Sequence, residues 1–349
     1  MASHGGKQTQ AMPQLTQGRQ AAPAAGQPTP RGFRSLLIPV DLSAATQQLL
    51  ARVALLPLAR KARLTLLHVV PKLLSREARR RAQSDAGRAL ELAASTLARR
   101  LPASVRITPR VTVGAAAAEI ARYARLRKAE LIVMGRGGGG RVSDIFLGST
   151  AERVIRAGQL PVLVVRLRPH AAYQCPLLAL DMDEAAQGVL PLALRVLSSP
   201  RPLAGVVHAY EVPAHGLIYP SLLAEQKQEQ RQHYQRKALQ ALEGMVATAL
   251  AKEKAAPGEL SWKAHLHHGS PRTVIPKVVA KTGADLLVLG SRGHAGVAHV
   301  LLGSVAGDIL REVPCDVLVV PPAPSRHGHT ASVSTKRGNL KRLATHEVG

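Results

Sequence analysis

The stretch ELIVMGRGGGGRVSDIFLGSTAERVIRAGQLPVLVV, residues 130–165, returns 155 positions later as DLLVLGSRGHAGVAHVLLGSVAGDILREVPCDVLVV, residues 285–320. The two align without a gap, 14 of 36 positions are identical, and several others exchange one aliphatic residue for another. The four glycines 137–140 carry a heavy entropic cost on folding, because glycine loses more conformational freedom than any other residue. A flexible linker would not recur between two matching apolar runs. The glycine stretch therefore belongs to a folded unit that the chain contains twice.

Working outward, short apolar runs at 35–40, 64–70, 105–111, 131–134 and 162–165 alternate with longer segments rich in alanine, leucine and arginine. The second half repeats the plan at 177–180, 203–209, 260–268, 286–289 and 317–320. Nearly continuous apolar runs alternating with helical segments predict parallel sheets covered on both faces. The fold class is thus α/β, with two tandem doubly wound five-stranded parallel-sheet domains. Helices are expected over 43–62, with Ser43 as N-cap and Leu49, Leu50, Val53 and Leu56 inward, and over 115–128, with Ala117, Ile120, Ala121 and Ala124 inward. The domains are placed at 33–168 and 175–322, joined by a linker at 169–174. The tails 1–32 and 323–349, rich in Gln, Ala, Pro, Gly, Ser and charge, are expected to be disordered.

Composition narrows the function classes. Of 349 residues, 46% are apolar and only 2% aromatic, so aliphatic and alanine packing must supply the core. No stretch approaches the ~20 apolar residues of a membrane span. The N-terminus lacks a signal or transit pattern, so a cytoplasmic location is expected. Cys175 and Cys315 show no metal-ligand spacing and read as ordinary buried thiols. The net charge is +25, yet it divides as +4 over 1–34, +16 over 35–168, +1 over 169–320 and +4 beyond.

Both copies carry one spacing: Gly135, two residues, Gly138, nine residues, Gly148 and Ser149; then Gly290, two residues, Gly293, nine residues, Gly303 and Ser304. A loop leaving the carboxyl end of a parallel strand borders the crevice where such sheets bind ligands. Glycine there lets phosphate oxygens approach backbone N–H groups. A helix opening at the Gly-Ser pair would present unpaired donors and its positive dipole end to an anion.

This pattern, over nearly the whole of both halves, resembles the universal stress protein family and its ATP-binding members. The resemblance implies an adenine-nucleotide α-hydrolase-like architecture, with the halves meeting through their last strands as a pseudo-dimer, and leaves a homodimer open. It also implies ATP with Mg²⁺ as ligand and a stress-response regulator as the function, without catalytic residues, although slow ATP hydrolysis stays open. Phosphate contacts fall on Gly135, Gly138, Gly148, Ser149 and Thr150, and on Gly290, Gly293, Gly303, Ser304 and Val305. Nucleoside contacts fall on Asp41 and Asp181, and on the backbone of Val69 and Ala209. The second copy departs from the family in having Ala209 for valine and Asp183 for the serine found at Ser43. A carboxylate beside a phosphate would repel it, which favours the first site.

Other motifs are weaker. Gly135, Gly137 and Gly140 fit G-x-G-x-x-G, but no helix opens there, and no P-loop is present. His265 and His267 share a strand face without a third metal ligand in view. Asp41 and Asp181 also suit turn or N-cap roles, and His68 suits a hydrogen-bonded core histidine. An alternative of another class is a basic adaptor whose nucleotide pockets are non-catalytic, even empty. It would hold nucleic acid, another polyanion or a protein partner through Arg76, Arg79, Arg80, Arg81, Arg88, Arg99 and Arg100. The scarcity of aromatics argues against base stacking.

Overall fold

The computed structural model describes residues 32–137, 148–158, 160–182, 188–198, 200–210, 224–252, 260–291 and 302–322. Both tails expected to be disordered lie outside these residues, apart from Gly32. The first half runs β1 (Phe33–Pro39), α1 (Ala45–Ala54), β2 (Leu58–Val70), α2 (Arg76–Ala98), β3 (Arg106–Val113), α3 (Ala116–Leu126), β4 (Leu131–Gly135), α4 (Ser149–Arg156) and β5 (Val162–Val165). The second runs β6 (Pro176–Ala179), α5 (Val189–Val196), β7 (Ala204–Tyr210), α6 (Ala224–Lys252), β8 (Trp262–His268), α7 (Pro271–Thr282), β9 (Leu286–Gly290), α8 (Ser304–Glu312) and β10 (Asp316–Val320).

The strands form one ten-stranded sheet in the order β3-β2-β1-β4-β5-β10-β9-β6-β7-β8. Pairing is parallel within each half and antiparallel only where β5 meets β10, with Val317 opposite Val164 and Leu318 opposite Leu163. The last strands therefore join the halves, as the resemblance implies. Successive strand residues point to opposite faces, and the core follows. Ile38, Leu66, Val133, Val288 and Leu318 pack under α1, α2, α5 and α6, while Leu37, Leu67, Ile132, Leu287 and Val317 pack under α3, α4, α7 and α8. Each core layer runs through both halves, so neither half ends at the seam.

The expected helix over 43–62 is corrected at both ends. Ala44 is the N-cap of α1, while the Ser43 hydroxyl accepts the Ala45 N–H at 3.3 Å. The helix ends at Ala54 because Pro57 disfavours helical geometry in the residue before it, and the chain enters β2 at Leu58. There the register with β1 breaks. Phe33 faces Leu58 and Ser35 faces Arg63, so the four residues 59–62 stand against the single residue Arg34. Lys61 takes a left-handed φ of 64°, which costs on the order of 1–3 kcal/mol for a residue with a Cβ. Cys175 is also corrected: it is exposed, whereas Cys315 is buried and its thiol is pushed up to about 12 by burial.

The seam is held by a charge with no counterpart in the internal repeat. Asp316 is completely buried. Its Oδ2 accepts from Arg52 Nε at 3.0 Å and Tyr173 Oη at 2.8 Å; its Oδ1 accepts the N–H groups of Arg166 at 2.7 Å and Leu167 at 2.8 Å. Burial beside this carboxylate holds the Tyr173 hydroxyl well above its ordinary pKa. The guanidinium of Arg52 also lies 3.9 Å over the Tyr173 ring and donates to the Ala171 carbonyl. The side chain of Arg166 donates to the Val313 and Leu310 carbonyls.

The halves return the exchange. Arg195 of α5 stacks 4.4 Å over the Phe33 ring and meets Glu130 at 3.1 Å, so α1 and α5 each send an arginine across the seam. On the opposite face Arg311 of α8 reaches Glu152 of α4 at 3.2 Å.

Removing one partner of a buried ion pair typically costs about 3–5 kcal/mol, because the other charge is left without compensation. Asp316→Ala should therefore lower unfolding stability by about that amount in urea denaturation. A loss under about 1 kcal/mol would show that the seam does not depend on this carboxylate.

Candidate functional site

In each half the strand order reverses direction once, between β1 and β4 and between β6 and β9. Such a reversal opens a crevice at the carboxyl ends of the strands. Parallel pairing of Leu37 with Ile132 brings the exit of β1, at Val40 and Asp41, level with the end of β4 at Gly135 and Arg136. Because β5 and β10 are antiparallel, the two crevices face opposite ends of the sheet.

The glycine segment leaves β4 and returns to its own start. The Gly148 N–H donates to the Arg136 carbonyl at 2.7 Å; the Gly303 N–H donates to the Ser291 carbonyl at 2.9 Å, the same bond 155 residues on. A Cβ on Gly148 would stand 2.5 Å from the Arg136 oxygen and 3.2 Å from Gly137, so only glycine permits the closure. Gly137 itself has φ +73°. A Cβ on Gly135, by contrast, would meet nothing within 4 Å. Folding requires glycine at 148 but gives no steric reason for it at 135.

Gly148 and Gly303 are the N-caps of α4 and α8, both extended and without a side-chain cap. The leading N–H groups of each helix, at Ser149 and Thr150 and at Ser304 and Val305, have no intrahelical acceptor. The acid in the first turn of α4, Glu152, is neutralised by Arg156 at 2.7 Å and by Arg311. These arginines hold its carboxyl below the ordinary glutamate value. The first turn of α8 has no acid. Both helix ends therefore face the crevice with positive character.

The strand ends supply the remaining expected residues. Asp41 Oδ1 accepts the Ser43 N–H at 3.0 Å and the Ser43 hydroxyl at 2.7 Å, which closes a turn through Leu42 at φ 61°. Asp181 Oδ1 accepts the Met182 N–H at 2.8 Å, a different turn. Val69 on β2 and Ala209 on β7 are half-buried next to the last residues of their strands. Gly138, Gly293 and Asp183 lie outside the described residues.

The hydrogen-bonded role expected of His68 is present, and His208, which the motifs passed over, repeats it. His68 Nδ1 lies 2.9 Å from the Val40 carbonyl, and His208 Nδ1 lies 2.9 Å from the Leu180 carbonyl. A carbonyl can only accept, so Nδ1 carries the proton in both. Each histidine thus fastens the end of one strand immediately before the crevice aspartate. The signal was available, since both histidines precede the corresponding site residue, Val69 or Ala209. Among the described residues no group of three or more His, Cys, Asp or Glu stands close enough to hold a metal ion. Burial and nearby lysines hold His265 and His267 below the ordinary histidine value.

Comparison with known proteins gives matches to the model described as "Universal stress protein family" over residues 32–166 and 176–321. A Staphylococcus epidermidis protein named as a universal stress protein is 48% identical over 56 residues, which is 16% of this chain and 34% of the relative. A Staphylococcus haemolyticus protein of the same naming is 42% identical over 64 residues, 18% and 39%. The chain thus spans about a third of the length of these curated relatives. A universal stress protein from Archaeoglobus fulgidus superposes with a TM-score of 0.58 at 17% identity, over 84% of this chain and 97% of its own. A Pseudomonas aeruginosa protein described as functionally unknown superposes with a TM-score of 0.55 at 17% identity, over 83% and 93%. At these identities the likeness is one of fold.

The two glycines make opposite predictions for stability. Gly148→Ala should lose about 1–3 kcal/mol, as overpacking against a fixed backbone does, whereas Gly135→Ala should change stability by less than about 0.5 kcal/mol. Thermal unfolding of the two variants checks this. Equal losses would contradict the asymmetry of the loop.

Proposed function

The chain belongs to the universal stress protein family, and we propose that it acts as a regulatory protein that binds ATP in both halves rather than turning it over. The reading is carried by one observation: two uncapped helix N-termini are drawn onto the ends of β4 and β9 by equivalent backbone bonds, at the point where the strand order reverses. Backbone donors at such a place suit a triphosphate.

In this reading Gly135, Gly138, Gly148, Ser149 and Thr150 would hold the phosphates in the first half, and Gly290, Gly293, Gly303, Ser304 and Val305 in the second. The carboxylates of Asp41 and Asp181 would accept from nucleoside donors, and the backbone of Val69 and Ala209 would border the base. Mg²⁺, when bound, would neutralise phosphate charge and rest mainly on phosphate oxygens and water, as this ion commonly does. Among the described residues no helix is long and apolar enough to cross a membrane. A cytoplasmic site of action is part of the same proposal.

Mass spectrometry of nucleotide released from the denatured full chain tests the assignment. ATP should be recovered at up to two per chain, falling by one with Gly148→Arg and by the other with Gly303→Arg. Gly135→Ala should weaken ATP binding by about tenfold or more, the equivalent of one charge-assisted hydrogen bond, without lowering Tm. A protein that emerges empty and ignores added ATP with Mg²⁺ in calorimetry would overturn the reading.

A further inference from the structure

The sequence places the positive excess of the first half on α2, but several of that helix's arginines are engaged. Arg79 donates to the Lys72 and Leu74 carbonyls, Arg81 pairs with Glu77, and Arg88 pairs with Asp85. Arg76, Arg80, Arg99 and Arg100 are exposed without a carboxylate partner among the described residues, and a second set shares that state at the sheet edge: Arg60, Lys61 and Arg63 on β2, and Arg106 and Arg110 on β3. Arg63 and Arg106 stand directly opposite each other in the β2–β3 register. Alternation puts Arg110 on the same sheet face, about 13 Å further along the outer strand at 3.3 Å per residue.

Two features of this row work against folding. Like charges directly opposite each other on neighbouring strands are destabilising. The bulge of residues 59–62, which carries Arg60 and Lys61 outward, holds Lys61 in the left-handed region. Protection of an outer strand from edge pairing explains some charge on β3. It does not require Arg63, on an inner strand, nor the strain at Lys61. The other outer strand, β8, manages with one exposed lysine, Lys263, and β6 and β7 pair without a comparable register break. Strain and repulsion gathered in one half, and omitted from the other half of the same fold, mark a surface shaped by something outside the chain.

We infer that this edge of the first half docks on the phosphate backbone of double-stranded DNA. The guanidinium fork matches phosphate oxygens in pairs. Among the described residues β2 and β3 carry no exposed aromatic side chain on which the bases of a single strand could stack, and no exposed large apolar side chain that could anchor in a lipid surface. A duplex carries one charge per about 1.7 Å of axis, which suits an extended row rather than a pocket. Recognition is by charge and independent of base sequence. The row starts at the amino ends of the first-half strands, away from that half's glycine crevice, so the inference does not rest on nucleotide binding.

The test is fluorescence anisotropy of a labelled 20-base-pair DNA duplex with the full chain, titrated from 50 to 200 mM KCl. In Arg63→Gln/Arg106→Gln/Arg110→Gln the slope of log K against log[salt] should fall by about 2.7, at roughly 0.9 per phosphate contact. The triple lysine variant should keep the parent slope. An α2 variant of equal charge change, Arg76→Gln/Arg80→Gln/Arg99→Gln, should shift the slope by less than about 1. Should the triple glutamine variant fail to fold, Arg110→Gln alone carries the test, with an expected fall of about 0.9. The inference is overturned by a parent that does not bind, by an unchanged slope in the edge variant, or by equal losses from the edge and α2 variants. Tighter binding to phosphatidylglycerol vesicles than to the duplex overturns it as well.

Discussion

The antiparallel contact of β5 with β10 is the constraint from which the rest of the structure follows. Each half alone would expose a short apolar edge, VLVV in one and DVLVV in the other, with unpaired backbone groups that invite aggregation. Pairing these edges makes one sheet, lets both core layers run across the junction, and leaves β3 and β8 as the outer strands. Asp316, at the start of β10, then ties Arg52, Tyr173 and the backbone of Arg166 and Leu167 to a single carboxylate. Four donors on one completely buried acid define a single relative placement of the halves more narrowly than apolar contact does.

The glycine segments are positioned by this frame. The bond from Gly148 to Arg136, repeated from Gly303 to Ser291, sets the first turn of α4 and α8 against the strand that precedes it. Loop closure and ligand approach draw on different glycines. Gly148 answers to the fold, because its missing Cβ would strike a carbonyl. Gly135 has no such reason among the described residues. A motif read only as a spacing merges these two roles, and the local geometry separates them.

Much of the architecture was legible because it is written twice. The recurrence of residues 130–165 gives the strands, the openings of α4 and α8 at Ser149 and Ser304, and the two-fold plan. What lay hidden is what the repeat does not share. Asp316 aligns with Pro161, so self-comparison passes over the seam carboxylate. The start of β2 at Leu58 was obscured by a helix-like run of leucine and alanine, and packing against β1 overrides that local preference. The exposure of Cys175 follows from its place just before β6, which composition does not reveal. His208 was visible beside His68, but its role depends on a carbonyl 28 residues away.

The antiparallel seam has an electrical consequence. Each half aligns its helices roughly against its strands, so the peptide units of one half sum to a moment along the strand axis. The second half, turned about the seam, carries nearly the same moment in the reverse sense, and the two largely cancel. The polarity of the whole molecule therefore originates in its side chains, in the contrast between +16 over residues 35–168 and +1 over residues 169–320. Unlike a backbone dipole, that polarity can be changed by surface substitution while the fold stays the same.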